Sequence, residues 1–367
     1  MMQRIRIVGT GSVLMVLGAP APAYDVTEQF SIGGLIAGSM QCQRLSEKAG
    51  ADNECDYALP LQPEFSFHPT DSDELFVKAG FANGNGLNGK SPFVLAPWAA
   101  DLHDDVKDIN GSNRDYLLTA WYRHTFALHE DSSVDATIGI IDATDYLDKN
   151  AYSNDEYTQF MNQALVNGPN AFLPSYDTGG ALVWKTGPWS LGGVVMDVND
   201  NDDGNNYTFY GAQLGYTLQS ELGEGNYRVL VDRTSEDFLD VDGKSKHKRS
   251  SIVFSFDQQL GNVVGAFLRI GWQDDSAAVN YDAIWSGGID INGSPWKRAE
   301  DNIGLGYAYL DGGNLDIGRS QVAEAYYRFV INSYLALSAD IQYMKDDLHN
   351  QENPAGFIYG MRLTAEF

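Results

Sequence analysis

The chain has little positive charge, almost no cysteine and no long apolar run. Lys and Arg number 24 against 50 Asp and Glu, for a formal net charge of −26. A surplus of acid this large argues against a nucleic-acid partner, because binding to phosphate backbones depends on a basic surface. The two cysteines, Cys42 and Cys55, exclude a disulfide-dense scaffold. In an oxidising compartment they are expected to pair and staple one loop, worth about 3 kcal/mol by loop-closure arithmetic; two separate thiols are the other reading. No histidine flanks them, so zinc is not expected. No stretch approaches the roughly 18 uninterrupted apolar residues that a membrane helix needs. The six histidines show no metalloprotease spacing, and no G-x-S-x-G occurs. "GNGLNG" (84–89) matches a glycine-rich nucleotide motif, but no helix pattern follows it. No enzyme activity, cofactor or metal is expected.

The start of the chain reads as an export signal. Arg4 and Arg6 precede the short uncharged stretch "TGSVLMVLG", and "APA" at 21–23 supplies a small-residue cleavage site. Residues 1–23 are therefore expected to be removed, leaving 24–367 as one domain.

What is abundant is glycine, aromatic residues and alternation. The chain has 38 Gly, 20 Tyr, 17 Phe and 7 Trp. In "DYALPLQPEFSF" the residues Tyr57, Leu59, Leu61, Phe65 and Phe67 fall in one phase, and "DYLLTAWYRHTFAL", "SSIVFSF" and "YLALSADIQY" repeat the pattern. Period two places one face of a strand in an apolar environment and the other in a polar one. About sixteen such segments occur, between residues 28 and 367, an even number as single-chain outer-membrane barrels have. Their connections alternate between short and long, apart from a long one near 291–301 where a short one is due. The expected fold is all-β: a transmembrane, antiparallel, up-and-down β-barrel of about 16 strands. A membrane sheet must close on itself, because lipid offers its backbone no hydrogen-bond partners. The last segment, "PAGFIYGMRLTAEF", is expected to pair with the first, with Phe357 and Phe367 at the two membrane interfaces.

If the apolar phase faces lipid, the other phase lines the lumen. That places Glu64, Trp121, Arg123, Arg269, Glu324, Tyr326, Arg328, Asp340 and Arg362 inside. Charged groups hydrogen-bond hydroxyls and aromatic rings stack on the apolar faces of sugars, so this set suits neutral polyhydroxylated solutes. The competing reading is a structural network that braces the wall. One helix is expected over 153–167, from a Ser153/Glu156 capping box, an apolar face of Tyr157, Phe160, Met161, Ala164 and Leu165, and a Gly168-Pro169 stop. Its place in a long extracellular loop allows it either to narrow the pore or to cap the rim. "KSKHKRS" (244–250) is a basic patch that invites contact with lipopolysaccharide phosphates.

Several stretches resemble the OprB-type carbohydrate-selective outer-membrane porins: "LLTAWYRHTF", "GIIDATDYLDKNAYSNDEYTQFMNQALVN", "WKRAEDNIGLGYAY", "AEAYYRFVINSYLALSADIQY" and "YGMRLTAEF". The block containing Asp142, Asp145, Asn154, Gln159, Phe160 and Asn162 is the most specific. Lys297, Arg298 and Asp301 stand where the family usually has Gly-Arg before Asp-x-(Leu/Ile)-Gly. The resemblance implies a sixteen-stranded porin in the outer membrane of a Gram-negative bacterium that passes monosaccharides such as glucose. Its partners would be small sugars, outer-membrane lipid and lipopolysaccharide, and the insertion machinery, whose signal the strand ending in Phe367 resembles. The sequence leaves open whether barrels form homotrimers. Other classes compatible with a barrel are a plugged surface-binding protein and a barrel hydrolase.

Overall fold

The computed structural model describes residues 23–200 and 203–367; the expected signal peptide lies outside the described residues, apart from its final Ala23. Sixteen antiparallel strands close into one barrel. They are β1 Phe30–Glu47, β2 Cys55–Thr70, β3 Asp73–Ala79 (resumed at Phe81–Asn83), β4 Leu117–His129, β5 Ser132–Ile141, β6 Asp177–Thr186, β7 Trp189–Val198 and β8 Tyr207–Ser220. The circuit continues through β9 Gly223–Thr234, β10 Ser250–Leu260, β11 Val264–Gln273, β12 Tyr281–Asn292, β13 Asn302–Gly312, β14 Ile317–Asn332, β15 Leu335–Leu348 and β16 Ala355–Glu366. Among the described residues no helix is long and apolar enough to cross a membrane.

Closure comes from β1 pairing with β16, in a register running from Leu35 opposite Glu366 to Glu47 opposite Ala355. The Gly34 amide donates to Phe367 O at 2.8 Å and the Phe367 amide to Gly34 O at 3.0 Å. No edge is left unpaired, which is the condition for a sheet in hydrocarbon. The alternation fixes the faces. Tyr57, Leu59, Phe65, Leu182, Val195, Leu363 and their in-phase neighbours are exposed on the outer wall. Aromatic residues gather near both ends of that wall. Trp189–Tyr216 (4.6 Å between ring centroids) and Tyr227–Phe256 (5.8 Å) lie toward the short turns, and Trp285–Tyr309 (5.8 Å) and Tyr343–Phe357 (5.2 Å) toward the long loops. Two such girdles are where amphipathic rings meet the membrane boundaries.

Connections at one rim are as short as residues 130–131, 187–188, 221–222 and 333–334; those at the other include 84–116, 142–176 and 235–249. The connection 293–301 on the short-turn rim is long, with a 3-10 turn at Ser294–Trp296. Arg298 clamps it, bonding Asp301 at 2.6 and 3.0 Å and Val330 O at 2.6 Å.

Cys42 and Cys55 are bonded, with S–S 2.02 Å, as the last directly opposed pair of the β1–β2 ladder, and the bond closes the connection between these strands. One expectation is corrected here. The expected helix over 153–167 shrinks to Gln163–Val166, capped by the Asn162 side chain at Ala164 N, 3.0 Å. Ser153 and Glu156 form no capping box. The Ser153 hydroxyl bonds Leu165 O instead, and the Asp155 carboxylate holds the amides of Tyr157 (2.8 Å) and Thr158 (3.1 Å).

Candidate functional site

The loops 84–116 and 142–176 fold down into the barrel and pack on each other. The Trp98 indole donates to Glu156 O at 2.9 Å, the Ala99 amide to Met161 O at 2.8 Å, and the Gln163 amide to Ala96 O at 3.1 Å. Inside the lumen they bury Leu87, Trp98, Leu102, Phe160, Met161 and Leu165. The 153–167 segment therefore narrows the pore and does not cap the outer rim.

Wall side chains hold this lobe through its backbone. Glu324 on β14 accepts from the amides of Met161 (2.5 Å) and Asn162 (3.0 Å). Arg362 on β16 donates to Glu156 O (2.6 Å) and Gln159 O (2.9 Å). Gln342 on β15 donates to Pro97 O at 2.9 Å and accepts from Asn162 at 2.9 Å. Arg269 on β11 pairs with Asp148 at 2.9 Å and donates to Ser153 O at 3.0 Å; both charged side chains are fully buried. Those contacts use the amides and carbonyls that a longer helix would have used internally, which explains its early end. Glycines make room for the lobe: a Cβ at Gly265 would sit 2.1 Å from the Tyr152 ring, and one at Gly306 would sit 2.9 Å from Phe160.

The inward residues named from sequence thus divide between two walls. Arg269, Glu324 and Arg362 anchor the lobe, with Asp340 beside them, bonded to Gln342 at 3.0 Å. Tyr326 bonds Asp290 at 3.0 Å and packs edge-on against Phe160 at 5.1 Å. Being buried, these five do not line open water, which corrects their expected place along the pore. Arg328 is also buried, 3.6 Å from Glu366 near the short-turn rim. Glu64, Trp121 and Arg123 stand on the wall the lobe leaves uncovered. Glu64 pairs with Lys78 at 3.2 Å, Arg123 pairs with Glu74, and Trp121 stacks on Phe76 at 4.9 Å.

Opposite that wall the lobe presents Asp101, Asp145, Tyr146 and Lys149. Lys78 lies within electrostatic range of Asp145 and Asp101, and Lys149 within range of Lys185, Arg228 and Arg123. Lys185 and Arg228 carry their own carboxylates, Asp135 (3.6 Å) and Asp257 (2.6 Å). Charges of both signs therefore stand on the lobe and on the wall that faces it. Sequence reasoning missed Lys78, Lys149, Lys185 and Arg228; the lumen phase of the three strand residues was readable, but not which inward residues the lobe would cover, and Lys149 is a loop residue with no phase to read.

Burial sets the protonation of the lobe. It pushes the Asp142 carboxyl up to about 7, with repulsion from Asp145 adding to it and hydrogen bonds from Thr144 opposing it. Burial likewise raises Asp105 to about 7 and Glu156 well above the usual carboxylate range, and it lowers the Lys149 ammonium. Among the described residues no cluster of three or more metal-binding side chains occurs.

A closed sixteen-stranded barrel with aromatic girdles and a loop-narrowed polar lumen is the architecture of an outer-membrane porin. The chain matches the family described as carbohydrate-selective porin, OprB family, over residues 81–367, and it belongs to that family. A protein of Aquifex aeolicus (strain VF5) is 31% identical over 306 residues, covering 80% of this chain and 84% of that one. The high-pH structure of Pseudomonas putida OprB superposes with a TM-score of 0.73 at 13% identity, covering 92% and 94% of the two chains. Pseudomonas aeruginosa OccK2, solved in complex with glucuronate, superposes with a TM-score of 0.54 at 10% identity, covering 93% and 99%. The chain is an outer-membrane porin of a Gram-negative cell, and its family and fold are those of a channel rather than an enzyme.

Proposed function

We propose that this porin passes small neutral monosaccharides, glucose-like in size and polarity, by passive diffusion through a slot between the inserted lobe and β2–β6. The observation that carries this reading is the charge pattern of the slot. Lys78 with Glu64, Arg123 with Glu74 and Lys185 with Asp135 offer donors and acceptors side by side. Such pairs can exchange hydrogen bonds with a ring of hydroxyls, while compensated charge gives an ion no comparable gain. Trp121 and Phe76 add aromatic surface beside Arg123. Mechanistically, solute replaces slot water one hydroxyl at a time and leaves by the same weak contacts.

Liposome swelling tests this. Vesicles containing the purified barrel should swell in isotonic glucose and arabinose faster than in a disaccharide of the same osmolarity. No swelling in any sugar would mean that the lobe plugs the lumen, and equal rates for all solutes would remove the selectivity. Whether the native unit is a trimer belongs to the same proposal, and mass measurement in detergent decides it.

A further inference from the structure

Residues 148–150 of the lobe are clamped to the barrel wall, and only the middle side chain stays out of the packing. The Asp148 amide donates to Gln213 Oε1 on β8 at 2.8 Å, and its carboxylate takes up Arg269 (2.9 Å) and the Gly168 amide (2.8 Å). The Lys149 carbonyl accepts from the Ser255 hydroxyl on β10 at 3.3 Å, and the Asn150 side chain donates to Ser255 Oγ and Phe256 O, both at 3.2 Å. These contacts bury Asp148 and Asn150, whereas the Lys149 side chain is exposed. Its backbone is held on both sides, so the place from which the ammonium reaches into the lumen is fixed.

What faces that ammonium is mostly cationic. Lys185 on β6, Arg228 on β9 and Arg123 on β4 all lie within electrostatic range of it. Each of the three has a bonded carboxylate of its own: Asp135 at 3.6 Å, Asp257 at 2.6 Å, and Glu74. Lys149 has none. Among the described residues it forms no ion pair, and Asp145, the acid within its range, is shared with Lys78. Compensated pairs offer a passing ion no net gain, but an ammonium without a bonded counter-ion does, because a carboxylate arriving beside it supplies the partner that the fold omits.

We propose that Lys149 sets the charge discrimination of the slot, so that monosaccharides carrying one carboxylate, the hexuronates, pass ahead of neutral sugars of the same size, and amino sugars are turned back. This rests on the sugar-passing reading above and extends it to a second solute class. The carboxylate pairs with Lys149 while the ring hydroxyls exchange hydrogen bonds with the compensated pairs on the wall. One ammonium exposed to water holds an anion weakly enough to release it, which conduction requires. A protonated amino sugar meets the same four cations and gains no such contact.

Efflux of radiolabelled glucuronate, glucose and protonated glucosamine from proteoliposomes, at low solute concentration and with the membrane potential clamped at zero, tests this. The rates should fall in that order, with glucuronate and glucosamine about tenfold apart, since one gains an exposed ion pair where the other meets repulsion. Lys149→Gln should bring that ratio to within about twofold, and Lys149→Arg should keep it. Equal rates for glucuronate and glucosamine in the parent, or an unchanged ratio in Lys149→Gln, overturn the proposal. A change of all three rates by the same factor in Lys149→Gln also overturns it, because the residue would then only prop the lobe. Glucose efflux with a flat charge series defeats this inference alone, whereas no efflux of any sugar defeats the sugar-passing reading and this one with it.

Discussion

The guanidinium of Arg269 and the carboxylate of Asp148 reach no solvent, yet each is fully occupied by the other and by loop backbone. Removing one partner of such a pair leaves the other charged and buried, at a cost of about 3–5 kcal/mol. Arg269→Met is therefore expected to free residues 147–153 from the wall. In planar bilayers its single-channel conductance should rise and become noisy, and adding Asp148→Asn should recover part of the quiet state. The buried carboxyls give the lobe a pH dependence. Asp142 titrates near 7 when folded but near 3.8 when exposed, so its neutral form favours the inserted lobe. Its stabilising contribution is complete below about pH 4 and is lost as pH rises through 7, with Asp105 acting in the same sense. Proteolysis within 142–176 should accelerate on the order of tenfold between pH 5 and pH 8.5. Asp142→Asn should flatten that dependence; an unchanged slope would assign it elsewhere.

At the scale of elements, strands and lobe follow different rules. Each strand announced itself through period two because one face meets hydrocarbon and the other does not; Tyr57, Leu59, Phe65 and Phe67 needed no other context. The segment around Ser153 carries equally good helix signals, yet only Gln163–Val166 is helical. Its amides and carbonyls are taken by Glu324, Arg362 and Arg269, side chains more than a hundred residues away in sequence, which local propensity cannot register. The inward phase told the same half-truth. It placed Glu324 and Arg123 alike in the lumen, although one lies beneath the lobe and the other faces the slot. The lumen-facing glycines carried the missing signal, since a gap in the wall marks where a loop side chain sits. Gly265→Leu should expel Tyr152 and lift the lobe, raising sugar permeability with the barrel intact; permeability below the parent's would mean that the lobe holds its place without that contact.

For the whole molecule, closure and facing govern stability. Because Cys42 and Cys55 join strands already paired to one another, Cys42→Ala with Cys55→Ala should leave folded, heat-modifiable barrels and lower the unfolding temperature by only a few degrees, read by circular dichroism. Loss of insertion would show instead that the bond organises assembly. The proposed transport path is water-filled, touches Arg123 and bypasses Glu324. A thiol introduced at each position and probed with a charged, membrane-impermeant thiol reagent during single-channel recording separates the two walls. Arg123→Cys should react within the open channel and step the conductance down, and Glu324→Cys should not react while the lobe is seated. A silent Arg123→Cys channel, or a reactive Glu324→Cys one with normal conductance, would contradict the path described.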